Sequence, residues 1–129
     1  MAGSNGAMFP VRGAEPGIKV VCLTATGTDG NDLTIVEGTG ITSVARTAEG
    51  KYTVTFNNFG TKILFAHGVV ATAVDAVGKD VEVKTITLAG TGTILIETWT
   101  RATDTTAAAQ ADVVATETLR MIFVFGTQD

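Results

Sequence analysis

The sequence predicts an all-β protein, an antiparallel β-sandwich or barrel (jelly-roll-like) of about eight strands. Its 129 residues have the length of a single domain. They include 23 Thr, 15 Val and 8 Ile, whose β-branched side chains pack well on sheets. From Ile18 onward, apolar and β-branched runs of about five to nine residues alternate with Gly, Asn and Asp. Only 17% of the residues are charged and 45% are apolar, which argues against disorder.

Eight runs predict strands, over residues 18–26, 32–37, 41–47, 51–57, 61–66, 80–88, 92–101 and 117–125. The clearest alternation places Tyr52, Val54 and Phe56 on one face of the fourth strand. These three residues are predicted to lie in the core.

The residue pattern of the last strand predicts that it lies in the centre of the sheet or is covered on both faces. One of its faces is strongly apolar and the other is only partly polar. The apolar face carries Leu119, Met121, Phe123 and Phe125, and the other carries Thr118, Arg120, Ile122 and Val124.

Two segments predict turns between strands, and a third predicts a longer loop. Thr47–Lys51 reads as a hairpin in which Gly50 supplies a left-handed residue, and Leu88–Thr93 reads as a second turn. Residues 102–111 predict a long loop, with one turn of helix as the alternative because of their alanines.

Residues 1–17 predict an extended N-terminal arm, and residues 18–129 a single β-domain. The arm contains Pro10 and Pro16 and has no sustained periodicity. Its apolar residues Met8, Phe9 and Val11 are costly to leave in water. We therefore expect the arm to dock, either on its own domain or on a neighbouring molecule.

Charge and cysteine content exclude several classes of protein. The net charge is −4 and no segment clusters Lys or Arg, so we expect neither nucleic acid nor a membrane surface as a partner. Cys22 is the only cysteine, so no disulfide can form within the chain, and we expect a small buried hydrophobic residue there. Neither a signal peptide nor an apolar run of membrane-spanning length is recognisable, which predicts synthesis in a reducing cytoplasm.

No constellation of residues points to catalysis, so we expect a protein without enzymatic activity, cofactor or metal. His67 is the only histidine and is flanked by apolar residues and glycine. Zinc-ligand spacings, a nucleophile elbow and a phosphate loop are all lacking. Thr28–Asp32 has the composition of a calcium loop, but it lacks the distal glutamate, and a β-turn is the better interpretation.

The scarcity of charge is the main positive indication of function. Threonine hydroxyls form hydrogen bonds without the desolvation cost of a charge, and the cores of protein interfaces are depleted in charge. We therefore expect a homo-oligomeric structural protein. Trp99 is either an interface anchor or a platform for a sugar.

Two segments resemble small β-rich virion proteins of tailed bacteriophages. Residues Gly38–Phe56 (GTGITSVARTAEGKYTVTF) resemble a Gly-Ile/Val-Thr-Ser-Val-x-Arg stretch that leads through a glycine turn into Tyr-Thr-Val-Thr. Residues Thr116–Phe125 (TETLRMIFVF) are similar to the closing strand of those proteins.

The resemblance implies a capsid decoration or cement protein, made in the host cytoplasm and seated on the outside of the virion. Its partners would be the major capsid protein and further copies of itself, as a homodimer or homotrimer, with the arm strapping neighbouring capsomers. Alternatives are a structural module of a phage tail or baseplate, and a carbohydrate-binding β-sandwich. The expected interface residues are Met8, Phe9, Val11 and Arg12 in the arm, with Trp99 and Arg101 in the domain.

Overall fold

The computed structural model describes residues 17–72 and 78–127. The arm residues Met8, Phe9, Val11 and Arg12 therefore lie outside the described residues. The described residues form eight strands: β1 (Ile18–Thr26), β2 (Thr34–Glu37), β3 (Ile41–Ala48), β4 (Lys51–Phe56), β5 (Lys62–Ala71), β6 (Lys79–Thr87), β7 (Gly92–Thr100) and β8 (Thr118–Gly126). All strand pairs are antiparallel, and the described residues contain no helix, which confirms the all-β prediction.

The strands form one sheet that curls into a nearly closed barrel. Their order is β2-β1-β8-β5-β6-β7-β4-β3, so β2 and β3 are the edge strands. The two edges meet just before β2, where the backbone nitrogen of Leu33 donates to the carbonyl of Val44 at 3.0 Å. We call the end of the barrel where β1 ends and β6 begins the upper end, and the opposite end the lower end.

The predicted strand boundaries agree with the structure to within two residues, except at the end of β5. The prediction ended this strand at residue 66, whereas it continues to Ala71. Gly68 lies inside this extension. A Cβ atom there would stand 2.8 Å from Cγ of Met121 and 3.2 Å from Cγ1 of Val81, so the position favours glycine. The glycine thus allows a close approach within the strand and does not end it.

The barrel interior is a continuous apolar core. Tyr52, Val54 and Phe56 are buried as predicted, and the ring of Phe56 packs edge-on against Phe123 and Phe125 at 4.9 and 5.2 Å between ring centres. β8 pairs along its whole length with β1 on one side and with β5 on the other. The predicted central position of the last strand is confirmed.

A loop between β7 and β8 closes the upper end of the barrel. Residues 102–109 are exposed and contain no helix, which confirms the long loop and not the helical alternative. The chain then returns along β7, where Ala111 donates its backbone N–H to the carbonyl of Thr98 at 3.1 Å. Val113 follows and is fully buried among the core residues. We call residues 109–117 the plug.

A polar network around the carboxylate of Asp112 fastens the plug. Oδ1 of Asp112 lies 3.0 Å from Nε of Arg46, 2.8 Å from the backbone nitrogen of Gly50 and 3.3 Å from the hydroxyl of Tyr52. That hydroxyl accepts a hydrogen bond of 2.9 Å from the backbone nitrogen of Val113. Burial raises the pKa of Tyr52 to about 12. Burial also opposes the charge of Asp112, but the hydrogen bonds from Arg46 and Gly50 outweigh it and lower the pKa of that carboxyl.

A second polar contact ties the plug to the start of β6. Nζ of Lys79 lies 2.6 Å from Oε1 of Glu117 and 2.6 Å from the carbonyl oxygen of Asp112, and both side chains of the ion pair are about nine-tenths buried. Glu117 also accepts the backbone N–H of Val114 at 2.9 Å. Each buried charge therefore has its partner.

The predicted turns are present. Gly50 has φ 68° in the hairpin between β3 and β4, as its left-handed role requires, and Gly90 has φ 79° between β6 and β7. Residues 28–32 form a turn whose two aspartates each accept a backbone N–H from another segment of the chain. Asp32 accepts the backbone N–H of Arg46 at 2.8 Å, and Asp29 accepts that of Ala115 at 3.3 Å.

Among the described residues, β5 and β6 pair over two positions only. Val69 lies opposite Asp80 and Val70 opposite Lys79, both at the upper end of the barrel. Below this point the two strands separate, so the barrel is open along the lower parts of β5 and β6. We call this opening the β5–β6 gap.

Candidate interaction surfaces

The outer face of β1, β8 and β5 is apolar. Since Val21, Leu23 and Phe123 point into the core, the residues between them point outward. The strand register then sets the outward residues side by side in one apolar row and two mixed rows. The rows are Val20–Val124–Phe65, Cys22–Ile122–His67 and Thr24–Arg120–Val69.

Several of these apolar side chains are strongly exposed. Phe65 is 54% and Val69 49% exposed, and Ile122 and Val124 between the flanking strands are half-buried. His67 is exposed and stacks on Phe65 with 6.3 Å between ring centres. We call the set Val20, Cys22, Phe65, Val69, Ile122 and Val124 the apolar outer face. Exposed apolar side chains clustered on one face are characteristic of interaction surfaces.

The sequence predicts Cys22 to be a small buried hydrophobic residue. This prediction is wrong, because the side chain is exposed. The reason is strand alternation, because its neighbours Val21 and Leu23 occupy the inward positions of β1. The thiol is therefore part of the apolar outer face.

The opposite side of the barrel has a contrasting outer face, formed by β6, β7 and β4. Glu82 and Glu97 lie directly opposite each other on β6 and β7. Nζ of Lys84 lies 3.9 Å from the first carboxylate and 3.8 Å from the second, so it relieves their repulsion. Lys51 and the threonines Thr53 and Thr55 continue this face on β4. We call it the charged outer face.

Trp99 and Arg101, two of the predicted interface residues, lie together at the upper end of the charged outer face. Trp99 points away from the buried Ile94 and Ile96, as predicted, and is half-buried. Its indole N–H donates to Oε1 of Glu97 at 3.2 Å.

Arg101 is exposed, and its Nε lies 3.0 Å from Oδ1 of Asp80. A shallow groove of about 370 Å³ runs between Arg101, Trp99 and Ala108. The indole N–H of Trp99 is thus already used within the chain, and its ring lines a surface groove. The other four predicted residues belong to the arm.

Sequence reasoning did not find the apolar outer face. The available signal was the partly apolar second face of the last strand, with Ile122 and Val124. The contributions of β1 and β5 could not be read from the sequence, because they depend on which strands flank β8 and in what register.

The described residues contain no group of three or more His, Cys, Asp or Glu side chains that could hold a metal ion. They also include no helix whose length and hydrophobicity would allow it to cross a membrane. No protein family, no curated protein and no solved structure matches the chain.

Proposed function

We propose that this chain is a non-enzymatic structural protein that joins a larger assembly through its apolar outer face. The observation that supports this most directly is the contrast between the two sides of the barrel. One side carries Phe65 and Val69 half exposed beside Ile122 and Val124, whereas the other carries paired charges and threonines. Burying the apolar side against another molecule gains hydrophobic free energy, and Arg120 in the mixed row would then need an acceptor on that molecule.

The resemblance to small virion proteins of tailed bacteriophages suggests which assembly this is. On that basis the chain would be a decoration or cement protein of the phage head. Its affinity would come from avidity, since many copies on a symmetric lattice add weak contacts together. The apolar outer face would then contact the major capsid protein or a further copy of this chain. A tail or baseplate module would use the same surface in a different part of the virion.

The first experiment measures self-association and binding to phage heads with matched variants. Phe65→Glu places a charge in the apolar outer face, and Thr53→Glu places the same charge in the charged outer face. Light scattering at micromolar concentration reports the oligomer, and co-sedimentation with tailed-phage heads that lack their decoration protein reports capsid binding.

We expect Phe65→Glu to lose association by more than about tenfold, since each 1.4 kcal/mol of binding free energy is a factor of ten. Thr53→Glu should associate like the unmodified chain. A monomer that binds no heads, or equal association by both variants, would contradict the proposal. Association with itself but not with heads would retain the assembly role and reject the head as its location.

A further inference from the structure

The β5–β6 gap interrupts an otherwise continuous sheet. β5 pairs with β8 along its whole length, and β6 pairs with β7 down to Thr87. On the side that faces the gap, residues 62–68 of β5 and 81–87 of β6 have no strand neighbour among the described residues. Each strand therefore presents a row of backbone N–H and C=O groups toward the gap.

The core is also incompletely covered at the gap. Except for Ile35 on the edge strand β2, the inward-facing hydrophobic residues of the other strands are buried, whereas those along both sides of the gap are half-buried or exposed. Ile86 shows this most clearly, since it lies opposite the fully buried Ile94 on β7 and is nevertheless 39% exposed. The partly covered residues are Ile63, Ala66, Val81, Val83, Ile86 and Leu88. Among the described residues, no extended segment covers the core at this place.

The described chain enters the barrel at its lower end, where the gap is open. The carbonyl of Gly17 accepts a hydrogen bond from the backbone nitrogen of Thr127, two strand positions away from the gap. A cavity of about 490 Å³, lined by Lys19, Gly60 and Leu88, lies between this entry point and the gap. Two strand spacings are roughly 10 Å, and four extended residues cover about 13 Å, so residues 13–16 are long enough to reach the gap.

We propose that residues 7–12 of the same chain fill the β5–β6 gap as a ninth strand, antiparallel to β5. In an extended segment Phe9 and Val11 share one face, and this face would cover the half-buried core residues. Successive N–H groups of a strand point to opposite edges, so Phe9 and Val11 can pair with β5, whereas Pro10 donates nothing toward β6 and the segment pairs fully on the β5 side only. Being tethered beside the gap gives this segment a high effective concentration there. This inference is independent of the proposed function.

Hydrogen exchange on the full chain tests whether the gap is filled. The variant Phe9→Asp places a charge in the docking segment, and Asn5→Asp places the same charge outside it. We expect residues 62–68 and 81–87 to exchange about tenfold faster in Phe9→Asp, which corresponds to about 1.4 kcal/mol of opening free energy. Asn5→Asp should exchange like the unmodified chain, and β1 should be unaffected in both. Equal exchange in all three proteins would overturn the proposal.

Disulfide trapping tests which chain supplies the segment. In a Cys22→Ser background, Phe9→Cys is combined in turn with Ala66→Cys, Val81→Cys or Val83→Cys. We expect at least one pair to form an intrachain disulfide, seen as a monomer of altered mobility on a non-reducing gel, because only close Cβ atoms can be bridged. A disulfide-linked dimer would show that a second copy donates the segment, and no disulfide in any pair would show that residue 9 lies elsewhere. Either result overturns the proposal and leaves the test of the apolar outer face unaffected.

Discussion

The carboxylate of Asp112 lies 3.0 Å from Nε of Arg46, although 66 residues separate the two in the chain. The contact joins the plug to β3 across the upper end of the barrel. It matters because Val113, the next residue, is buried in the core, and its N–H is satisfied only by the Tyr52 hydroxyl that also contacts Asp112. The plug is thereby part of the folded core.

Replacing the Asp112 carboxylate should destabilise the whole barrel. Asp112→Ala leaves the buried Gly50 N–H without its acceptor and removes the partner of the Tyr52 hydroxyl, a loss of about 1–3 kcal/mol in the free energy of unfolding. Urea unfolding followed by tryptophan fluorescence measures it. Asp104→Ala, in the exposed part of the same loop, is the matched control and should stay within about 0.5 kcal/mol of the unmodified chain.

Tyr52 should make the fold sensitive to alkali. The folded chain keeps the phenol protonated up to a pKa of about 12, whereas an unfolded chain releases the proton near 10. The stabilising contribution is complete below pH 10 and is lost as the pH rises toward 12, because ionisation then favours the unfolded chain. Absorbance of the tyrosinate reports this group alone, since the chain has one tyrosine.

The control for the alkaline effect is Tyr52→Phe. Its stability should fall less steeply between pH 10 and 12, although it starts lower by about 1–2 kcal/mol because Val113 loses its acceptor. A tyrosine that titrates near 10 in the folded protein would contradict the prediction.

The sequence predicted the strands well because their signal is local. Alternation in Lys51–Phe56 and the glycines at the turns depend only on neighbouring residues. The surfaces depend on strand order instead. Cys22 was expected to be buried because its run is apolar, and only the pairing of β1 with β8 puts it outside beside Ile122. The hydrogen bonds around Asp112 could not be predicted from the sequence either, because the residues that form them are distant in the chain.

Gly27 should tolerate no side chain. A Cβ atom there would overlap the carbonyl oxygen of Val114 and stand 2.5 Å from that of Val113, and both are backbone atoms of the plug. Gly27→Ala should therefore cost about 3 kcal/mol in thermal or urea unfolding, the upper end of the usual range for overpacking. Gly30→Ala is the comparison, because it meets no atom within 4 Å and should cost only about 1 kcal/mol from its φ of +85°.

Cys22 provides a native probe of the apolar outer face. Its thiol is exposed in the single chain, so a thiol-specific reagent should modify the folded monomer at a rate within about tenfold of the urea-unfolded chain. Association through this face should slow the reaction in proportion to the fraction assembled. The control is Thr53→Cys in a Cys22→Ser background, on the charged outer face, which should react equally in monomer and assembly. Protection of residue 53 with a freely reacting Cys22 would assign the interface to the other side of the barrel.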